Sequence, residues 1–180
     1  TGHGIDAYNA GSGGTSITVA STGSIETSAD KGYGIFNKSS GTAAKLNEIT
    51  VAGSITTAGE GAHGIYNLGD FNKTILAAGG SIVTTGDSAY SIYDKGTGNT
   101  TTLAGGVQTE GKDSYGIYRT DISNTVDFKA TGSVTTKGVG AYGIYNVGND
   151  YTTTVPGSIK TAGEGAHGIY NSGQSNETTI

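Results

Sequence analysis

The chain has 180 residues, a formal net charge of −5 and 14% charged residues without a basic run, which argues against nucleic acid as a partner. It contains no Cys, which excludes disulfides, thiolate metal sites and a cysteine nucleophile, and no apolar run long enough to span a membrane. Its 33 glycines stand beside a single proline, but they recur in a strict phrase, which separates this composition from low-complexity disorder.

The chain opens on a fragment, Thr1-Gly2-His3-Gly4-Ile5, of a phrase that then returns in full: GSIETSADKGYGIFN, GSITTAGEGAHGIYN, GSIVTTGDSAYSIYD, GGVQTEGKDSYGIYR, GSVTTKGVGAYGIYN and GSIKTAGEGAHGIYN. Its second aliphatic falls at Ile5, Ile35, Ile65, Ile92, Ile117, Ile144 and Ile169, in steps of 30, 30, 27, 25, 27 and 25 residues. The first aliphatic (Ile25, Ile55, Ile82, Val107, Val134, Ile159) always stands ten residues earlier, so the length variation lies in the remaining part of each repeat. No segment carries a 3.6-residue apolar stripe. Three short strands per repeat fit this spacing, and the expected fold is all-β. It is a single-stranded parallel β-helix of six to seven coils, expected to be right-handed, about 30 Å long at about 4.8 Å per coil.

The strand faces follow in chain order. Between Ile5 and the first full phrase, Ile17 and Val19 alternate with polar residues; Ile49/Val51, Leu76/Ala78, Leu103, Val126/Phe128 and Val155 continue this looser strand. The one proline, Pro156, falls beside a corner glycine, where a missing N–H does least harm. In the GSIxT strand a Thr always follows the aliphatic by two (Thr27, Thr57, Thr84, Thr109, Thr136, Thr161), while the residue between varies from Glu26 to Lys160. Ile/Val and Thr therefore point inward, with the Thr hydroxyls expected to hydrogen-bond along their ladder. In the next strand Ile points inward and the following ring outward, giving an external aromatic ladder of Phe36, Tyr66, Tyr93, Tyr118, Tyr145 and Tyr170. Asn37, Asn67, Asp94, Asn146 and Asn171 are expected to close that strand at a corner, as an Asn ladder or as αL residues.

The phrase resembles the repeat region of bacterial autotransporter passengers and related secreted adhesins, over nearly the whole chain. The resemblance rests on Gly-Ser-Ile units, AYGIYN and the lack of Cys. It implies a right-handed parallel β-helix at the bacterial cell surface or secreted, acting in adhesion, aggregation or biofilm. The shorter repeats of trimeric autotransporter heads do not fit this period, and neither a protease or esterase passenger signature nor a translocator barrel is found.

Three candidate sites arise. Asp30, Glu60 and Asp87 precede the second Ile by five residues; stacked carboxylates would repel, and a Ca²⁺ ladder would relieve them, against the reading of a solvated corner helped by Lys31. His3, His63 and His167 share a slot with Tyr33, Tyr90, Tyr115 and Tyr142, which reads as structural packing rather than a metal cluster. The aromatic ladder either shields glycine backbone and stiffens the stack, or docks sugar faces or a neighbouring fibre. No cofactor is otherwise implied.

Catalysis has little support, because a side chain repeated in every coil marks a ladder. The strongest departure, EGKDSYGIYRTD (Glu110, Lys112, Asp113, Arg119, Asp121), reads as a surface variant. Without an initiating Met or signal peptide the chain reads as a mature or excised segment. The expected function is a structural, adhesive cell-surface or extracellular fibre segment that associates with itself, neighbouring solenoid coils, or a host or neighbour-cell surface or glycan. The alternatives are a subunit of a self-assembling extracellular filament or sheath, with contacts between the Thr1 and Ile180 regions of neighbours, and a polysaccharide-binding or polysaccharide-cleaving β-helix.

Overall fold

The computed structural model describes residues 2–9, 14–39, 42 and 45–180, and among these every regular element is a strand. The strands wind into a β-solenoid of about six turns with three parallel sheets, each coil contributing one strand to each sheet. Sheet A takes the IYN strands, from Ile5–Asn9 to Ile169–Ser172; sheet B the strands from Ser16–Val19 to Glu177–Thr179; sheet C the GSIxT strands, from Ser24–Thr27 to Ser158–Thr161. Thr1, invoked by the end-to-end expectation, lies outside the described residues.

Pairing is in register with the repeated phrase. Ile5, Ile35, Ile65, Ile92, Ile117, Ile144 and Ile169 form one column of sheet A, and Ile25 to Ile159 one column of sheet C. Together with Val51, Leu76, Leu103, Phe128 and Val155 of sheet B they fill a single core. The period-two burial of each strand forces this register, since a one-residue slip would turn every aliphatic outward. One expected pair is corrected: Thr74 pairs with Ile49 and Leu76 with Val51, so Thr74 is the inward partner of Leu76, and Ala78 is exposed in the turn beyond.

That turn explains part of the length variation. From the last inward residue of sheet B to the first of sheet C the chain takes six residues (Val19 to Ile25), then four (Val51 to Ile55), and this alternation continues to Val155 and Ile159. The longer version closes as a four-residue turn, with Gly23, Gly80 and Gly132 N–H donating to Ala20, Ala77 and Lys129 carbonyls at 2.8–2.9 Å.

The inward threonines differ from expectation in partner. Thr57, Thr84, Thr109 and Thr136 are buried, but each hydroxyl donates to the carbonyl five residues on within its own coil: Ala62, Ala89, Ser114 and Ala141 at 2.5–2.8 Å. The hydroxyl thus pins the corner between sheets C and A rather than linking coils. At that corner the chain turns through a positive-φ residue in each coil, such as Lys31, Ser88 and Asp113 (φ 52–54°). From Gly59 onward a glycine two residues earlier faces the previous coil's backbone: a Cβ on Gly138 would lie 1.8 Å from the Gly111 carbonyl oxygen.

Candidate functional site

Sheet A places the aromatic residues, and the structure shows two ladders rather than one. In the expected column Tyr66, Tyr93, Tyr118 and Tyr145 stack on one another at centroid separations of 4.6, 4.8 and 5.3 Å. Phe36 meets Tyr66 at 5.4 Å, tilted, and Tyr170 meets Tyr145 edge-on at 5.2 Å. The His/Tyr slot forms the second column, with His3, Tyr33, His63, Tyr90, Tyr115 and Tyr142 stacked within 12° of parallel at 4.7–5.2 Å. The columns meet edge to face, as in Tyr90–Tyr118 at 4.9 Å and Tyr115–Tyr145 at 4.9 Å. Ring faces are therefore spent on neighbouring rings and mainly edges reach solvent; within the expected column only Tyr170 at the last coil is exposed, at 41%.

The histidines fit that packing chemically. His63 is buried, its Nδ1 accepts the Tyr90 N–H at 3.1 Å, and burial pushes its pKa down to about 3. The ring is thus neutral, with the proton on Nε2. His3 Nδ1 accepts the Tyr33 N–H in the same way. Burial also raises the phenol of Tyr115 to about 12, and Tyr90 in the same direction.

Continuing the same alternation one residue past the rings gives the main correction. Asn37, Asn67, Asp94 and Asn146 are buried and point into the solenoid; they lie within strands rather than at an αL corner. They form a polar spine in which each amide donates to the next coil: Asn37 Nδ2 to Asn67 Oδ1 (3.1 Å), Asn67 Nδ2 to Asp94 Oδ1 (2.7 Å), and Asn146 Nδ2 to Asn171 Oδ1 (2.6 Å). Inward Ile, outward Tyr, inward Asn follows the period of two once the strand runs on past the ring. A second column begins sheet B, where Asn99, Asn124 and Asn176 Oδ1 accept the main-chain N–H of Asn72, Asn99 and Tyr151 at 2.7–3.0 Å.

Arg119 occupies the spine position next to Asp94 and is wholly buried, which overturns its reading as part of a surface variant; Glu110, Lys112 and Asp121 do lie at the surface. Its Nε donates to Asn146 Oδ1 at 2.7 Å, Nη1 to the Asn124 carbonyl at 3.1 Å and Nη2 to Thr153 Oγ1 at 2.8 Å, with the guanidinium carbon 4.9 Å from the Tyr151 ring centroid. Asp94 accepts from Asn67 at Oδ1 and from Thr101 at Oδ2 (2.8 Å), so both carboxylate oxygens serve as acceptors. Burial raises the Asp94 pKa and lowers that of Arg119 to about 10, while each charge favours the other's ionised form. An acceptor-only Asp ends one donating run of the spine, and a donor-only Arg begins the next. Sequence reasoning saw the unusual residue but not the direction it faces.

The acidic corner is placed where expected, with Asp30, Glu60 and Asp87 exposed on successive coils. Asp30 Oδ1 accepts the Glu60 N–H at 3.0 Å, and Asp87 Oδ1 accepts the Lys112 N–H at 2.8 Å. Two of the three carboxylates thus hold the main chain of the next coil. Lys31 lines the same shallow cleft, and among the described residues no group of three or more His, Asp or Glu is placed to hold a metal ion.

Comparison with protein-family models, with curated proteins and with solved structures finds no match for this chain.

Proposed function

We propose that the chain is a segment of an extracellular or cell-surface fibre, with a structural and adhesive role in attachment or cell–cell aggregation. One observation carries this reading: the repeated polar and aromatic groups are spent on holding coil to coil, while the outward column of sheet C changes with every coil (Glu26, Thr56, Val83, Gln108, Thr135, Lys160). A rod with an invariant interior and a variable skin suits a spacer that presents contacts along its length. Stacking leaves the rings mainly edges to offer, which favours their shielding role over sugar-face docking. The secreted location rests on the repeat style and the lack of Cys.

The test is to couple the chain to beads or display it on non-adherent cells, and to score aggregation and binding to host or neighbour cells. Enhanced clumping or attachment, lost when Glu26, Gln108 and Lys160 are all changed to Ala, is expected. Beads that behave like uncoated ones would overturn the adhesive reading.

A self-assembling filament is the second reading. It is favoured by the parallel in-register pairing of all three sheets, in which each coil is a template for the next. Negative-stain imaging across a concentration series distinguishes the two: growing filaments support this second reading, and rods of constant length refute it.

A further inference from the structure

The aromatic ladders carry a redox consequence that does not depend on the fibre reading. The chain contains no Cys, Met or Trp, so the thiol, thioether and indole groups that usually intercept oxidants are absent. It does contain 11 tyrosines, and most of them, from Tyr33 to Tyr170, belong to one network of touching rings. A phenol that loses one electron and its proton becomes a phenoxyl radical whose ortho carbons are reactive. In this network each tyrosine touches at least one other tyrosine ring, so every phenoxyl has a phenol beside it. Tyr66 and Tyr93 are the tightest pair: they sit opposite one another on in-register strands, 4.6 Å apart and 7° from parallel. Tyr118 continues the column at 4.8 Å and 20°. Tyrosines outside the network offer a contrast, because Tyr8 is 69% exposed while Tyr151 is buried.

We propose that the ladder is a site of oxidative covalent modification, in which one-electron oxidants join Tyr66 to Tyr93 through an ortho carbon–carbon bond and so staple adjacent coils. Each phenol gives up one electron to the oxidant and one proton to solvent. The two radicals couple, and the ortho hydrogens shift to restore both phenols. With peroxodisulfate as terminal oxidant, two phenols and one peroxodisulfate yield one dityrosine, two sulfates and two protons. Small tilts of the two rings bring their ortho edges together, and solvent-facing edges admit a small oxidant.

The experiment is brief visible-light oxidation of the folded chain with ruthenium(II) tris-bipyridyl and peroxodisulfate at high dilution, followed by mass spectrometry of the intact chain and of its peptides. The expected product is a monomer lighter by two hydrogen atoms per link, with dityrosine fluorescence and Tyr66–Tyr93 as the leading linked pair. Tyr93→Phe keeps a ring in the column, as Phe36 does, and should abolish that link while moving coupling to Tyr118–Tyr145 and Tyr90–Tyr115. Far-UV circular dichroism checks that the variant folds; if it does not, the wild-type link map decides alone. Dimers joined through Tyr8, or hydroxylated tyrosines without Tyr–Tyr bonds, would show that accessibility and not ladder geometry governs oxidation, and would overturn the proposal.

Discussion

Arg119→Ala tests the polar spine most directly. The guanidinium is wholly buried, donates to Asn146, Asn124 and Thr153, and faces the Tyr151 ring. Its donors go to these acceptors and not to Asp94, so its removal takes from that buried carboxylate only a nearby positive charge that favours its ionised form. Each abandoned acceptor adds about 1–3 kcal/mol, partly relieved by water entering the space the side chain vacates. A net loss of about 5 kcal/mol is expected, which lowers Tm by about 10–20 °C in a chain of this length. Because solenoid coils interact only with their neighbours, the loss centres on the coils carrying Asp94, Arg119 and Asn146. Asp94→Asn alone should also destabilise, by removing the negative charge that favours the buried guanidinium. The pair Asp94→Asn with Arg119→Asn rebuilds an amide-to-amide spine of the kind seen at Asn37–Asn67, and should recover much of the loss. Thermal and urea unfolding followed by circular dichroism supply the double-mutant cycle, with an expected coupling above about 2 kcal/mol. Arg119→Ala within about 1 kcal/mol of wild type, or a double variant as unstable as the sum of the singles, refutes the account of the spine.

Three further outcomes follow from local geometry. His63 titrates near 6.5 when unfolded and about 3 when folded, so as pH falls the unfolded chain takes up the proton first; its contribution is full above about pH 6.5 and drains as pH falls toward 3, by at most about 5 kcal/mol. His63→Tyr, the residue that neighbouring coils use in this slot, should flatten the wild-type decline between about pH 6.5 and 4, read as urea midpoints; parallel declines would remove His63 as the cause. Gly138→Ala puts a Cβ 1.8 Å from the Gly111 carbonyl oxygen of the previous coil and should cost more than about 3 kcal/mol, whereas Gly79→Ala meets open space at φ +86° and should cost about 1 kcal/mol; equal losses in thermal melts would contradict the contact argument. Asn37 Oδ1 is buried without a hydrogen-bond partner, and Ala7 stands opposite it in the preceding coil, so Ala7→Asn should extend the spine and raise stability by about 1 kcal/mol; an unchanged or lowered urea midpoint would count against it.

Much of the fold was legible because the chain could be compared with itself. Residues 25–30 apart stack in register, so a column of the solenoid appears in the sequence as a column of similar residues, and the ten-residue spacing from Ile25 to Ile35 reappears as the corner between sheets C and A. The aromatic ladder was legible on the same grounds. Its second column was visible only as a slot shared by His and Tyr, because ring-to-ring stacking depends on coil spacing and side-chain angle.

The sequence by itself determined the period, the three strands per coil, and which aliphatics face the core, since a strand's alternation allows only one face to be apolar. The tertiary structure decided where the polar groups go. Thr109 could have bonded a neighbouring threonine but reaches the Ser114 carbonyl instead, because the corner brings that carbonyl closer. Asn67 read as part of a corner ladder or as an αL residue, and Arg119 as part of a surface variant; both became interior rungs because the strand of sheet A continues past the tyrosine before it turns. Where a strand stops is set by contacts with the coils on either side, and no local pattern of residues contains that information.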